Sequence, residues 1–540
     1  MTERPDSTAV DHMRGSRPGR SGVTGPGRQP GATEGWLQLR PAGDPRRQAG
    51  KVLGDSDAGP RRPVALGAAD ARHHLHVLGA TGTGKSTLLT NLILADAAAG
   101  RGVAVLDPKG DLIGDVLARL PADAAARLVL IDPGETLAPA ALNVLDATGR
   151  SPELVTDRVV GVFARLYAAY WGPRIEDVLR CACLTLTRQP PPAPGRQSGQ
   201  VATLADIPRL LSNPRYRQLL TAQITDQTGL GGFWAWYDAL TDAARAAVIG
   251  PVMTKLRGIL TRRFAVDLLG ASASSFSLTQ ILDGGILLAR LPKGLLGDDT
   301  TRLVGSLLLS CLWQEATARA SQPETARLDA AVYIDECHNF MHLPGPIDDV
   351  LAEARGYHLS LVLAHQHLGQ LPRELADAIH ANARNKALFT VSPDDARILA
   401  RHVGPYLTAE DLTRLDRYQL ACRLVAGGRD THGFTLTTRA APQARTDHTQ
   451  LLQAAARARG RTAAARRHTD LARQLAAPEP SRPGLSTAGP AQDGWPSVPP
   501  AVSRSVSQSA LDPAGQTNPP VGTNQQATGQ LRRPDDEPDS

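Results

Sequence analysis

A glycine-rich segment carries the most specific chemistry in this sequence. Residues 79–86 read GATGTGKS and fit the pattern G-x-x-x-x-G-K-[ST] at every fixed position. An apolar run before the segment predicts a strand, and an amphipathic run after it predicts a helix. Glycines let successive backbone N–H groups turn inward around phosphates, and the helix N-terminus adds its dipole. The predicted phosphate contacts are Gly79, Ala80, Thr81, Gly82, Thr83, Gly84, Lys85, Ser86 and Thr87.

Two side chains of this segment have defined roles in such sites. A lysine at the position of Lys85 reaches the β- and γ-phosphates, and a hydroxyl at the position of Ser86 binds Mg²⁺. The chain has only six lysines, and one of them occupies this position. The pattern therefore predicts ATP and Mg²⁺ as cofactors, with Lys85 acting in catalysis as well as in binding.

An apolar run that ends in two acids, residues 330–336 (AAVYIDE), forms the second candidate group. A strand of this kind places Asp335 in the Mg²⁺ shell and Glu336 where it polarises an attacking water. By itself such a run is common and usually marks a strand that leaves the core. Together with the upstream loop it predicts hydrolysis, with Glu336 as the catalytic base.

Two further polar groups follow predicted strands, and the residues alone leave their roles open. Gln366 follows the apolar run 359–364, where it either senses the γ-phosphate and the water or only caps the strand. Residues 107–111 (DPKGD) form either a charge cluster beside the nucleotide or a polar turn. His365 and His367 flank Gln366 without a third ligand nearby, so zinc is not predicted.

The elements around these groups follow an alternating pattern. Short β-branched runs, such as 102–106 and 128–131, alternate with helical runs, and the alternation resumes from residue 285. This predicts an α/β fold: a RecA-like P-loop NTPase domain with a mostly parallel sheet. Between the two parts, apolar residues recur at helical spacing, which predicts an inserted all-α subdomain.

The predicted organisation has six segments. The two ends are rich in Gly, Pro, Ser, Gln and Arg, so they cannot bury enough apolar surface to offset the entropy of ordering. Whether the Arg-rich helical segment packs on the domain stays open. The segments are a disordered tail (1–62), the first part of the P-loop NTPase domain (63–150), the helical subdomain (151–269), the second part of the NTPase domain (270–442), the Arg-rich helical segment (443–476) and a disordered tail (477–540).

Composition excludes some classes of protein and supports others weakly. The net charge of +6 lies in the flanks, since residues 1–62 carry +4, 441–478 carry +5 and 479–540 carry −3. The near-neutral core makes charge weak evidence for a nucleic-acid partner. The five cysteines lack zinc-site spacing and predict reduced thiols in the cytoplasm. No apolar run approaches the ~18 residues of a membrane span, so none is predicted.

The order of these segments resembles a known superfamily. GATGTGKS, VLDPKGDL, the helical insertion, VYIDECHNF, LVLAHQHLGQL and NARNKALFTVSPDDARIL follow one another as in the FtsK/HerA superfamily of hexameric DNA pumps. The DE-x-HNF and LAHQ-x-LGQL stretches are most similar to type IV secretion coupling proteins of the TraG/TraD kind, which feed DNA to conjugative channels. The likeness covers about residues 66–440.

The resemblance implies a role for each matching residue. Lys85 and Ser86 contact phosphate and Mg²⁺, Asp335 is the acid on the metal side, Glu336 is the base, and Gln366 is the sensor. In the superfamily an arginine from the neighbouring subunit completes each site. Two basic residues lie near the matching strand, and the sequence does not decide between them: Arg384 and Lys386.

The resemblance also implies a function and partners. It predicts an ATP-hydrolysing DNA translocase that acts as a hexameric ring, with residues 151–269 facing a relaxase or membrane secretion subunits. Most coupling proteins begin with membrane-spanning helices, whereas this chain begins with a hydrophilic segment. We therefore expect a cytoplasmic protein that a partner recruits to the inner face of the membrane. The alternatives are a soluble HerA-like DNA-processing ATPase, a nucleotide-dependent docking protein that does not translocate DNA, and an ATPase that energises protein secretion.

Overall fold

A computed structural model of the chain describes residues 45–189 and 201–476. Short 3₁₀ turns connect several of its elements. The strands are β1 (Lys51–Ser56), β2 (Pro63–Leu66), β3 (Leu75–Leu78), β4 (Gly102–Asp107), β5 (Leu128–Ile131), β6 (Ile286–Arg290), β7 (Ala330–Ile334), β8 (Leu359–His365), β9 (Asn385–Leu388), β10 (Gln419–Arg423), β11 (Val425–Ala426), β12 (Arg429–Asp430) and β13 (Phe434–Thr437). The α-helices are α1 (Ala68–Ala71), α2 (Lys85–Ala99), α3 (Asp111–Leu117), α4 (Pro152–Leu166), α5 (Pro173–Thr187), α6 (Ile207–Ser212), α7 (Pro214–Thr221), α8 (Leu230–Asp238), α9 (Asp242–Leu260), α10 (Arg263–Leu269), α11 (Leu278–Leu282), α12 (Lys293–Leu296), α13 (Asp298–Ala318), α14 (Ile347–Ala354), α15 (Arg373–Asn382), α16 (Pro393–Val403), α17 (Ala409–Thr413) and α18 (Thr446–Ala476).

One large sheet organises the described chain. Its eleven strands follow the order β2-β1-β13-β10-β9-β3-β8-β7-β4-β6-β5. From β9 to β5 every neighbouring pair is parallel, whereas the pairs from β2 to β9 are antiparallel. The prediction of an α/β fold with a mostly parallel sheet is confirmed.

Helices cover both faces of the parallel part, which explains why its strands are mostly apolar. Successive side chains of a strand point to opposite faces. On β4, Val103 and Val105 pack with α2 and α3, whereas Ala104 and Leu106 join the cluster on the other face. The sheet is therefore buried on both sides, and its few polar side chains in this part, such as His76, Ser360 and Lys386, are buried as well.

The inserted segment is helical, as predicted, but it has no separate core. Helices α4 to α10 lie between β5 and β6 in the chain. Helix α4 packs against α13, and Val159 of α4, Leu307 of α13 and Val332 of β7 belong to one continuous apolar cluster. The insertion therefore packs onto one face of the sheet domain through α13.

The predicted boundary of the N-terminal tail at residue 62 is wrong. Strand β1 lies inside the sheet, between β13 and β2. Leu53 is fully buried, and Lys51 Nζ lies 2.9 Å from the buried Asp96 carboxylate. Strand β1 pairs with the neighbouring β2 on one side and with β13, which is distant in sequence, on the other. Residues 1–44 lie outside the described residues, so the prediction of disorder there stays a prediction.

The Arg-rich segment packs on the domain, which the sequence left open. Leu452 of α18 is fully buried, and Arg457 Nε lies 2.7 Å from Glu135 Oε2. The Arg459 guanidinium donates to the carbonyl oxygen of Ala125 at 2.8 Å. The first half of α18 thus covers the β5 edge of the sheet. The predicted tail 477–540 lies outside the described residues.

Two smaller expectations concern membranes and cysteines. None of the helices in the described ranges is both long and apolar enough for a membrane span. All five cysteines are buried and none is in a disulfide. Within residues 45–189 and 201–476, no group of His, Cys, Asp and Glu has the arrangement of a metal site.

Candidate active site

The glycine-rich loop joins β3 to α2 and has the geometry of a phosphate loop. Gly84 has a φ of 122°, and a Cβ at Gly79 would lie 2.6 Å from Phe389 Cβ, so both positions require glycine. Gly84 is the N-cap of α2, and no side-chain hydrogen bond is made there. The N–H groups of the first turn of α2 are therefore available to an anion.

A cleft opens beside this loop at the carboxyl edge of the sheet. It encloses about 250 Å³. Seven of the nine predicted phosphate contacts line it: Ala80, Thr81, Gly82, Gly84, Lys85, Ser86 and Thr87. The other two shape the loop, since Gly79 packs on Phe389 and the Thr83 carbonyl accepts a hydrogen bond from the Tyr418 N–H. The opposite wall includes Asp107, Lys109 and Asp335.

Parallel pairing brings the acids to the loop. Strand β7 is separated from β3 only by β8, and all three strands end at the same edge. Asp335 directly follows β7, and Lys85 Nζ lies 3.6 Å from its Oδ1 atom. The predicted meeting of Lys85 and Asp335 therefore occurs, although 250 residues separate them in the sequence.

Asp335 has the properties of a metal-side acid. It is buried, and its Oδ1 atom has no hydrogen-bond partner in the described chain. Burial raises the pKa of Asp335, although the positive charge of Lys85 acts to lower it. A buried carboxylate oxygen that accepts no hydrogen bond is costly, and a hard cation such as Mg²⁺ would satisfy it. The Asp335 carboxylate and the Ser86 hydroxyl, which also lines the cleft, are therefore a donor set that fits Mg²⁺.

Glu336 is held tightly by its neighbours. It adopts a left-handed conformation with φ 46°, uncommon for a residue with a side chain. Its Oε1 atom lies 2.8 Å from Lys109 Nζ and 3.6 Å from Lys85 Nζ. Burial alone would raise the pKa of Glu336, but these charges and hydrogen bonds from Gln366 and Lys109 outweigh it and lower the pKa to about 2. Glu336 is therefore ionised but weakly basic in this arrangement.

Gln366 connects the loop to the acid. Its side-chain N–H donates to the Glu336 carboxylate, and its Oε1 atom accepts a hydrogen bond of 2.9 Å from the Thr81 hydroxyl. The Gln366 backbone N–H donates to Gln370 Oε1 at 2.9 Å, which fixes the turn after β8. The side chain thus touches both groups between which a γ-phosphate would lie. Its role as a sensor stays a prediction.

The turn after β4 contributes a residue whose role the sequence left open. The Asp107 carboxylate accepts from the N–H groups of Lys109 and Ile113, so Asp107 shapes the turn. Lys109 instead reaches Glu336. Partial burial works to lower the pKa of Lys109, but the hydrogen bond and charge of Glu336 raise it overall. Of the two interpretations, the structure favours a charge cluster at the cleft.

Two cleft residues were missed by the sequence analysis. Arg417 and Tyr418 precede β10 and line the cleft on the side away from the acids. They match no recognised pattern, and β10 is far from the loop in sequence. Only the pairing order of the strands brings them to the loop.

The two histidines and the two basic residues considered for completing a neighbouring site do not line the cleft. Arg384 pairs with Asp430 at 2.9 Å, and the buried Lys386 donates to the Ile379 carbonyl. Lys386 is level with His76 at the start of β3, so both basic residues lie away from the phosphate loop of their own chain. His365 Nε2 lies 2.7 Å from His76 Nε2 across the strands.

Comparison with known proteins supports the same architecture. Residues 48–159 match the family model "Helicase HerA, central domain". The chain is similar to the bacterial conjugative coupling protein TrwBdeltaN70 in a trigonal form with sulphate, at 17% identity and a TM-score of 0.51, covering 76% of this chain and 94% of that one. A second similar structure is the plasmid coupling protein TrwB in complex with ADP and Mg²⁺, at 18% identity and a TM-score of 0.50, covering 75% and 93%. No curated protein sequence matches the chain.

These findings confirm the resemblance to the FtsK/HerA superfamily. The family model covers the segment that contains the phosphate loop and the DPKGD turn. The TrwB structures share the fold over most of the described residues. Residues 48–159 therefore match the HerA central-domain family, and the chain shares the fold of the TrwB structures.

Proposed function

We propose that this chain hydrolyses ATP with Mg²⁺ and uses the energy to move DNA in conjugative or type IV secretion-like transfer. The observation that carries the proposal is the assembly of Lys85, Asp335, Glu336 and Gln366 around one cleft. These residues come from distant parts of the chain, and each has the type that phosphoryl transfer to water requires. A protein that only bound nucleotide would not need both acids.

Each residue at the cleft has a separate role in the proposed hydrolysis. The backbone N–H groups of the loop hold the phosphates, and Lys85 contacts the β- and γ-phosphates. Ser86 and Asp335 hold Mg²⁺, which neutralises negative charge on the phosphates when it is bound. Glu336 takes a proton from the attacking water, and Gln366 orients that water beside the γ-phosphate.

The low pKa of Glu336 suits a base that becomes active only when nucleotide is present. Lys85 and Lys109 hold its pKa at about 2 in the nucleotide-free arrangement. When Lys85 turns to the phosphates, Glu336 loses part of this positive surrounding and its basicity rises. Nucleotide binding thus raises the basicity of Glu336. Without nucleotide, Glu336 stays a weak base and does not activate water.

The similar structures suggest how the activity is used. TrwB is described as a conjugative coupling protein, and the fold of this chain matches it over most of its length. We propose that copies of this chain form a hexameric ring around DNA. Residues 151–269 then contact a relaxase or membrane secretion subunits, and such a partner recruits the protein from the cytoplasm to the inner face of the membrane.

One observation favours a second candidate function. The family model that matches residues 48–159 describes a helicase domain of HerA, a DNA-processing protein rather than a secretion component. A soluble HerA-like ATPase that processes DNA would use the same cleft in the same way. It differs in needing no membrane partner.

The test is the rate of ATP hydrolysis with and without single- or double-stranded DNA. Glu336→Gln is the matched inactive variant, and it should lose about 10²–10⁴ in rate because a positioned base is removed. We expect DNA to raise the wild-type rate several-fold and to leave the variant flat. Hydrolysis that ignores both kinds of DNA would refute translocation, and absence of hydrolysis would refute the ATPase itself.

A second measurement distinguishes the two candidate functions. If the chain binds membranes only when a secretion subunit is present, the transfer function is supported. If it unwinds or resects DNA without any partner, the HerA-like function is the better description. Both assays use the full chain with ATP and Mg²⁺.

A further inference from the structure

Arg417 and Tyr418 occupy one end of the nucleotide cleft and have no role in the chemistry described above. Both line the cleft together with Lys85 and Thr87. Tyr418 is half-buried, and Arg417 is exposed. The question is which part of a bound nucleotide would reach them.

Sheet order gives the direction of the nucleotide. The acids at the end of β7 lie on one side of the loop strand β3, with β8 between them. Arg417 and Tyr418 precede β10, which lies on the other side of β3, with β9 between them. A γ-phosphate must face the acids that act on it, so the opposite end of the nucleotide points towards Arg417 and Tyr418. That end carries the ribose and the base.

Tyr418 is fixed rigidly against the loop. Its N–H donates to the Thr83 carbonyl at 2.7 Å, and its carbonyl accepts from the Thr438 N–H at 2.8 Å. A Cβ at Gly84 would lie 2.8 Å from Tyr418 Cδ1, so ring and loop are in close contact. These contacts hold Tyr418 at a φ of 69°, a conformation that aromatic residues rarely adopt. The ring is therefore a fixed surface beside the phosphate loop.

Arg417 lies on that surface. Its guanidinium carbon is 4.8 Å from the centre of the Tyr418 ring. No carboxylate in the described part of the chain pairs with it within 4.0 Å. A planar guanidinium that stacks on a ring with one face leaves its other face free for a second flat group.

We propose that the free face of the Arg417 guanidinium stacks on the base of the bound nucleotide, with Tyr418 holding the guanidinium plane in position. This inference rests on the proposed nucleotide binding and specifies the base end of that same site. Stacking on a π-face does not distinguish one base from another. The contact therefore adds affinity for nucleotides over bare polyphosphate rather than selectivity among bases.

The experiment compares two ligands that share the phosphates but not the base. Binding of ATP and of inorganic tripolyphosphate, each with Mg²⁺, is measured by calorimetry on the full chain carrying Glu336→Gln, so that ATP is not consumed. Arg417→Ala and Arg417→Lys are introduced into this parent. Lysine keeps the charge but has no plane to stack, which makes it the matched control for a purely electrostatic contact.

We expect both Arg417 variants to weaken ATP binding roughly tenfold, within the range for stacking on an aromatic or guanidinium plane. Tripolyphosphate binding should change by less than about twofold, a difference too small for a lost stacking contact. If Arg417→Lys keeps full ATP affinity, or if Arg417→Ala weakens both ligands equally, Arg417 contacts phosphate and the proposal is overturned. An unchanged ATP affinity in Arg417→Ala overturns it as well.

Tyr418 supplies an independent measurement. Tyr418→Phe keeps the ring and should bind ATP like the parent, whereas Tyr418→Leu should weaken ATP but not tripolyphosphate. Since Tyr418→Leu could disturb the loop, its unchanged tripolyphosphate affinity also serves as the check that the phosphate site is intact. A parent that binds neither ligand would refute the proposed nucleotide site itself, an outcome distinct from failure of the base contact.

Discussion

Lys109 Nζ lies 2.8 Å from Glu336 Oε1, which joins the turn after β4 to the acid that follows β7. Glu336 is nearly fully buried, whereas about half of the Lys109 side chain is exposed. A half-exposed cation thus sets the charge around a buried acid. If Glu336 is the base, as proposed, Lys109 is a positioning residue that acts through Glu336.

The first prediction concerns this pair. Replacing Lys109 with methionine removes the ammonium that lowers the Glu336 pKa, so that pKa should rise. A base must be ionised to act, so the decline of the ATPase rate on acidification should begin at higher pH in Lys109→Met. The measurement is the rate between about pH 3.5 and 7, because the pKa rises from about 2 towards the usual glutamate value and protonation of the base appears there as an acid limb.

A lysine elsewhere provides the control for the first prediction. Lys255 lies 5.5 Å from the Tyr167 ring centre and is not among the residues that surround Glu336. Lys255→Met should leave the pH profile unchanged. Equal acid limbs in the wild type and in Lys109→Met would show that Lys109 does not set the basicity of Glu336.

The second prediction concerns Gln366. Its amide bridges the Thr81 hydroxyl and the Glu336 carboxylate, so Gln366→Ala should slow turnover by about 10- to 100-fold, the equivalent of one or two lost hydrogen bonds to charged groups. ATP affinity should stay near the wild-type value, because the loop and Lys85 are untouched. Gln322→Ala, at an exposed site, is the control. A variant with lost affinity and normal turnover would assign Gln366 to binding instead.

The third prediction concerns acid stability. The buried His74 accepts a hydrogen bond from the Leu361 N–H at Nδ1, 3.0 Å away, and lies 2.6 Å from the Leu351 carbonyl at Nε2. This arrangement requires the neutral ring, with its proton on Nε2. Burial lowers the pKa of His74 to about 4.

The direction of the pH dependence follows from the different pKa of His74 in the unfolded and the folded chain. The unfolded chain takes up a proton at His74 near pH 6.5, whereas the folded chain does so only near pH 4, so the stability is present above pH 6.5 and is lost as pH falls towards 4. The loss is about 1.4 kcal/mol per pH unit for each such histidine. Urea unfolding across this range measures it. His74→Asn should flatten the dependence of the unfolding free energy on pH, whereas His432→Asn, at an exposed site, should not. Equal slopes in the wild type and in His74→Asn would contradict the buried neutral ring.

The fourth prediction concerns the docking of α18. Two adjacent leucines make a matched pair, because Leu452 is fully buried and Leu451 is 48% exposed. Leu452→Ala should lower the free energy that holds α18 on the domain by about 2–4 kcal/mol, and Leu451→Ala should cost less than about 0.5 kcal/mol. Hydrogen exchange of the α18 amides is the measurement. Similar exchange rates in both variants would show that α18 is not held by this face.

Local patterns determined the chemical centre of this protein. The loop 79–86 and the acids 335–336 were assigned from sequence because each requires only a short run of residues and a flanking strand or helix. For the same reason a strand was predicted before Asp335, and the structure shows it as β7. Periodicity and side-chain type are local properties, and they suffice for such elements.

Tertiary structure decided what lies beside that centre. The β1–β2 pair joins the large sheet because β13 pairs with β1 from the far end of the chain, and α18 packs on the domain because Leu452 occupies a buried site. Lys109 meets Glu336, and Tyr418 meets Gly84, only because the strand order brings their turns to one edge. The sequence determined which residues are candidates for the chemistry. The sheet decided which residues surround them, because contacts between distant segments depend on the order in which strands pair, and no local pattern encodes that order.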